Sequence, residues 1–175
     1  MRFLKGVYTL IISLKTDTSL RIGKLGLYTF PSGTYTYTGS AMGTGALSLE
    51  GRIKRHLRKN KKMKWHIDYL LNSDNAQIQS VIYAETNEKF ECKVSQEIEK
   101  LETSHVLVKR FGASDCKEGC QAHLHYFTLN PSQVQELLFR TYRKLGLKPK
   151  LFYNVNYSSN SSSVCLSRNN FISNL

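Results

Sequence analysis

The chain has 175 residues, 41% of them apolar, and a formal net charge of +12. That is enough apolar material for one core-forming domain without disulfide staples. No run of roughly 18 apolar residues occurs, which excludes a bilayer-spanning helix. The charge points to an anionic partner, nucleic acid ahead of an acidic membrane surface, because no amphipathic anchor or lipidation motif is present.

The opening "FLKGVYTLIISL" lacks a small-residue cleavage pattern, and its aromatic and β-branched content predicts a strand over residues 3–14 rather than a signal peptide. Without an export signal, the expected location is cytoplasmic. The four cysteines are then expected as reduced thiols or metal ligands. "KTDTSL" reads as a turn. "LRIGKLGLYTFPSG" reads as one or two short strands broken by Gly23, Gly26 and Pro31-Ser32-Gly33. "TYTYTG", residues 34–39, is a strand with Tyr35 and Tyr37 on one face.

The glycine-rich "GSAMGTGALS" leads into a helix from about Leu47 to Lys59. Leu49, Ile53 and Leu57 form its apolar stripe, Arg52 and His56 border that stripe, and Lys54, Arg58 and Lys59 point to solvent. "KWHIDYLL" reads as a short helix and residues 76–85 as a strand. "EKFECKVSQEIEKLE" reads as a helix with Phe90, Val94, Ile98 and Leu101 inward. "FGASDCKEGC" is a loop and "AHLHYFTL" a strand. A last helix starts with Pro131 at N1 and stops at Gly146. Residues 151–175 are rich in Ser and Asn and are expected to form a disordered tail behind a single domain of residues 1–150.

Three features stand in order: Tyr8 in "GVY", Tyr37 in "YTG", and Arg52 on the following helix. Two phenols and a guanidinium suit phosphodiester cleavage, in which the pentavalent phosphorus gains negative charge that a fixed guanidinium can receive. A phenol near cations can move a proton to or from water. Tyr8 and Tyr37 also suit simple packing in a strand, and Arg52 could cover the apolar stripe with its methylenes. Arg52, Lys54, Arg55, Arg58, Lys59, Lys61, Lys62 and Lys64 place eight cations in thirteen residues. This reads as a phosphate-contacting surface, with a plain solvated face as the alternative. Trp65 reads as a core anchor, and His66 with Asp68 as a structural hydrogen-bond set. "CKEGCQAHLH" offers Cys116, Cys120, His123 and His125 as a zinc-like cluster, or as buried thiols and imidazoles in a cleft wall.

The ordered set "GVYTL", "IGKLG…FPSGTYTYTGSAMG", "RIKRHLR", "KWHIDYLL", "EC" and "FGASDCKEGCQAHLHYF" resembles the GIY-YIG nuclease superfamily. It is closer still to a small branch of it known as domain of unknown function 123. These residues extend over 6–127. The resemblance implies an α+β fold: a small, mainly antiparallel sheet flanked by helices. The 28 residues between Tyr8 and Tyr37 exceed the superfamily's usual spacing and imply an extra β-hairpin.

It also implies a DNA endonuclease dependent on Mg²⁺ or Mn²⁺. Tyr8 and Tyr37 would act near the attacking water, Arg52 on the phosphate, and an acid on a later helix would hold the metal; from its place beside Arg52, His56 is expected to assist. Glu91 matches the first acid of that helix, but the ligand position falls on Gln96. The alternative is therefore a nucleic-acid-binding module that does not cut. Asp115 is expected in the wall of the same cleft.

Overall fold

The structure is a computed structural model, and it describes residues 4–153. Among these, strands β1 (Gly6–Leu14), β4 (Gly33–Ala41), β5 (Ala76–Glu85), β6 (Leu124–Phe127) and β7 (Lys150–Tyr153) form one sheet in the order β6-β4-β1-β5-β7. Every pairing in it is antiparallel. β2 (Thr18–Ile22) and β3 (Gly26–Phe30) pair with each other as a separate hairpin. The helices are α1 (Leu49–Leu57), α2 (His66–Leu71), α3 (Glu91–Glu99) and α4 (Pro131–Lys144). None is long and apolar enough to cross a membrane.

β1 is central because both of its faces are apolar, so it can be covered on both sides. Tyr8, Leu10, Ile12 and Leu14 pack with Leu49 and Ile53 of α1, Ile67 and Leu70 of α2, and Phe30 of the hairpin. Val7 and Ile11 pack with Val94 and Ile98 of α3 and Val134, Leu138 and Tyr142 of α4. Each fully buried side chain of this kind stabilises the fold by about 1.5–3 kcal/mol. A register shift between Ile11 and Ile12 against β5 puts Ile78 and Val81 in the same cluster although they are three residues apart.

The helix ends follow local chemistry. The Ser48 hydroxyl accepts from the Gly51 N–H at the start of α1. Asn130 and Gln133 bond each other's backbone N–H at the start of α4, with Pro131 in the first turn. Gly146, at φ 77°, follows the end of α4.

Most elements fall where the sequence places them to within a few residues at their ends, and three differences bear on the architecture. Thr18–Leu20 belong to β2 rather than to a turn, because they pair with Tyr28–Phe30 of the hairpin. The helix expected from Leu47 begins at Leu49, after a 3-10 turn over Gly45–Leu47 that Ser48 closes. Residues 151–153, expected in the tail, form β7 with Lys150 and pair with Ser80–Ile82 of β5. The rest of the expected tail lies outside the described residues.

Candidate functional site: a cationic cleft beside a thiol cluster

Two glycines decide how closely the central strands meet their neighbours. A Cβ on Gly6 would stand 2.1 Å from the Ala84 carbonyl oxygen. A Cβ on Gly39 would stand 2.5 Å from Tyr8 Oη, because Tyr8 and Gly39 are register partners. The glycine of "YTG" thus makes room for the tyrosine of "GVY".

The freed phenol reaches His56 of α1, with Tyr8 Oη 2.8 Å from Nε2. Both residues are buried. Tyr37 stands edge-on to His56, with ring centroids 6.0 Å apart, and to Phe111. Burial pushes the Tyr8 and Tyr37 phenols well above their ordinary range; the Arg52 charge pulls the other way on both. Burial also drives His56 down to about 3, helped by the nearby charges of Lys61, Arg55 and Arg52 against the pull of Asp68. The pair is therefore a neutral phenol on a neutral imidazole.

Tyr8, Tyr37, Arg52 and Glu91 line one open cleft of about 510 Å³, together with Trp65, Lys89, Asp115 and Lys117. The Arg52 guanidinium lies 5.1 Å from the Trp65 ring centre, and that of Arg55 lies 4.1 Å from it. Trp65 thus holds cations against its faces rather than standing free for a base, and it is packed against the core.

The basic run divides in two. The Arg55 guanidinium binds both oxygens of buried Asp68 at 2.8 Å. Asp68 Oδ2 also accepts the backbone N–H groups of Lys64 and Trp65. Against burial, these bonds hold the carboxyl below its usual range. Lys61 Nζ binds the carbonyls of His56 and Arg58 at the end of α1. Lys54, Arg58, Lys59, Lys62 and Lys64 are exposed. His66 Nδ1 accepts the Gly112 N–H at 3.0 Å and ties α2 to the 110–122 loop.

The opposite wall holds the sulfur chemistry. Ligand atoms of Cys92, Cys116, Cys120 and His123 all lie within 4.8 Å of one another, so the four are placed to hold a metal ion such as zinc. Against burial, the backbone N–H groups of Cys120 and Glu118 and the neighbouring thiols bring Cys116 down to about 7. Burial raises Cys120 to about 11 and pushes Cys92 higher.

His125 and Asp115, expected beside these residues, are not in the group. His125 lies on β6, whereas His123 stands in the loop before it, and His125 offers no ligand atom to the group. It is fully buried, with neither ring nitrogen hydrogen-bonded, and burial lowers it to about 4. Asp115 is exposed.

Cys92 is the ligand that local spacing could not supply. It lies on α3, 24 residues before Cys116, and only packing of that helix beside the loop brings it in. Glu91 lines the cleft: Oε2 lies 3.4 Å from Ser40 Oγ, and Oε1 lies 3.5 Å from His123 Nδ1. Gln96 is not among the cleft-lining residues. Its amide donates to the Glu118 carbonyl at 2.8 Å.

No curated protein and no solved structure matches this chain. The family model described as Domain of unknown function DUF123 matches residues 7–146, which is most of the chain, and the protein belongs to that family.

Proposed function

We propose that the cleft binds the phosphodiester backbone of nucleic acid, DNA in the first instance, and hydrolyses it as an endonuclease. The observation that carries this reading is the meeting of Tyr8, Tyr37, Arg52 and Glu91 around one opening, with Tyr8 hydrogen-bonded to His56 behind it. A guanidinium held against Trp65 can receive two non-bridging phosphate oxygens as charge builds on them.

The buried phenol resists forming tyrosinate, so it works best as a relay. Water attacks phosphorus and passes its proton to Tyr8 Oη. Tyr8 passes its own phenolic proton to His56 Nε2, so no free phenolate forms. The new P–O bond forms as the bond to the leaving sugar oxygen breaks, and that oxygen takes a proton from solvent. The negative phosphate beside the pair offsets the cost of the buried imidazolium. Tyr37, edge-on to His56, holds the ring in place.

Mg²⁺ or Mn²⁺ would be held by Glu91, whose Oε2 is turned to Ser40, and would supply positive charge at the phosphate. One carboxylate fits such an ion, which draws other ligands from phosphate and water.

The test is incubation of the purified full chain with supercoiled plasmid and branched DNA in Mg²⁺ or Mn²⁺. Tyr8→Phe and Arg52→Ala should each slow cutting by about 10²-fold or more. Cutting that neither change affects would sink the assignment of this cleft.

A second reading, a module that grips a backbone without cutting it, draws on one observation. Gln96 stands where the resemblance expects the metal-binding acid, and its amide is engaged by Glu118. Salt-sensitive DNA binding with no cleavage in either metal would select it.

A further inference from the structure

The thiol cluster stands apart from the Tyr8–His56 pair and needs its own account. Its four members come from two separate segments: Cys92 in the first turn of α3, and Cys116, Cys120 and His123 from the loop entering β6. Zinc–sulfur bonds of about 2.3 Å and zinc–nitrogen bonds of about 2.0–2.1 Å, at tetrahedral angles, put ligand atoms about 3.6–3.8 Å apart. Cys92 Sγ lies 3.5 Å from Cys116 Sγ and 3.9 Å from His123 Nε2, on either side of that spacing.

We propose that Cys92, Cys116, Cys120 and His123 bind one zinc ion in a closed tetrahedral site that fastens α3 to the 110–122 loop and so builds one wall of the cleft. Three supporting contacts are already in place. Nδ1 of His123 is buried and makes no hydrogen bond, and it faces Glu91 Oε1 at 3.5 Å. A carboxylate behind a ligating imidazole selects the tautomer that leaves Nε2 free for the metal. The Glu118 N–H points at Cys116 Sγ at 3.4 Å, and the Gln96 amide at Cys120 Sγ at 3.8 Å. Donors of this kind stabilise thiolates. Gly119 adopts φ 80°, which lets the chain turn between Cys116 and Cys120 so that both sulfurs face inward.

This set also accounts for the departure at Gln96. An acid there would set a negative charge against a thiolate, whereas an amide donates to it. The helix that the resemblance assigns to a hydrolytic metal thus also serves a structural one through Cys92, Glu91 Oε1 and Gln96. With three thiolates and an imidazole, the site has no open position and takes no part in hydrolysis. The proposal does not depend on the nuclease reading.

The test uses the full chain purified without added metal or chelator. Metal analysis should give one zinc per chain. After removal of the zinc under reducing conditions, Co²⁺ titration should produce intense sulfur-to-cobalt charge-transfer absorption and tetrahedral d–d bands, saturating at one equivalent. Cys92→Ser should lose most of the zinc, as should Cys116→Ser. The cobalt spectrum of the unsubstituted chain carries the proposal even if a variant fails to fold. A metal-free protein that shows no thiolate–cobalt bands would overturn it, as would a Cys92–Cys116 disulfide in the chain as isolated, or full zinc retention in Cys92→Ser.

Discussion

Tyr8 Oη lies 2.8 Å from His56 Nε2, with both side chains buried between the sheet and α1. If this pair relays the proton of the attacking water, His56→Gln should lower cutting by about 10²-fold or more while the dissociation constant for DNA stays within a factor of a few. Single-turnover cleavage alongside anisotropy titration separates the two quantities. Equal losses in binding and cutting would show that His56 merely shapes the cleft.

The same imidazole makes stability depend on pH. Its folded value is lowered to about 3 from an ordinary 6.5. Between those values the unfolded chain binds a proton that the folded one refuses, so stability falls as pH drops through that window. Above pH 6.5 both states are neutral and the effect vanishes. The slope from this group is at most about 1.4 kcal/mol per pH unit. Asp68 acts lower down, since its folded value lies below 3.8: its contribution is present above that pH and is lost as pH falls further. Buried His125, lowered to about 4, adds a parallel dependence over the same range. Urea denaturation at several pH values should therefore show a slope from pH 6 to 4.5 that His56→Gln reduces without removing.

Asp68 is buried and receives four hydrogen bonds from Arg55, Lys64 and Trp65. Arg55→Ala would leave a buried carboxylate without its cation, a change that typically costs about 3–5 kcal/mol. The double variant Arg55→Ala/Asp68→Ala should be less destabilised than the sum of the single ones. Chemical denaturation of the four proteins checks this; strict additivity would mean that the pair is not coupled.

Gly39→Ala should break the Tyr8–His56 contact, because the new methyl would stand 2.5 Å from the phenol oxygen. Overpacking of this kind costs about 1–3 kcal/mol. The expected result is a measurable drop in thermal midpoint together with loss of cutting. An unchanged midpoint would show that the strands separate at no cost.

The cationic run predicts a divided response to substitution. Alanine at exposed Lys54, Lys59, Lys62 or Lys64 should leave stability within about 0.5 kcal/mol. Each of these that contacts phosphate should lower the slope of log K against log salt by about 0.9 on duplex DNA. Alanine at Lys61, which is bonded to two carbonyls at the end of α1, should instead lower the thermal midpoint. Slopes that none of the exposed substitutions moves would place the DNA on another face.

By itself, the sequence determined the elements and the core faces. The alternation of β1, the stripe of Leu49 and Ile53 on α1, and Pro131 at the start of α4 are local patterns, and burial and helix ends follow them directly. The order of Tyr8, Tyr37 and Arg52 was legible too, but their meeting at one cleft follows from the pairing of β1 with β4 and the packing of α1.

Tertiary structure decided what each charge and thiol does. Arg55 and Lys61 look in sequence like Lys54, since nothing within a few residues reveals a buried carboxylate or a helix end that a lysine turns back to cap. That is why the basic run reads as uniform until α1 and α2 are packed. Cys92 joins Cys116, Cys120 and His123 only because α3 packs beside the loop entering β6. His125 stays outside the group, although its type and position suggested a ligand. Local pattern sets which way a side chain points on its own element. Its partner is set by whichever distant segment packs opposite, and that is a property of the assembled core.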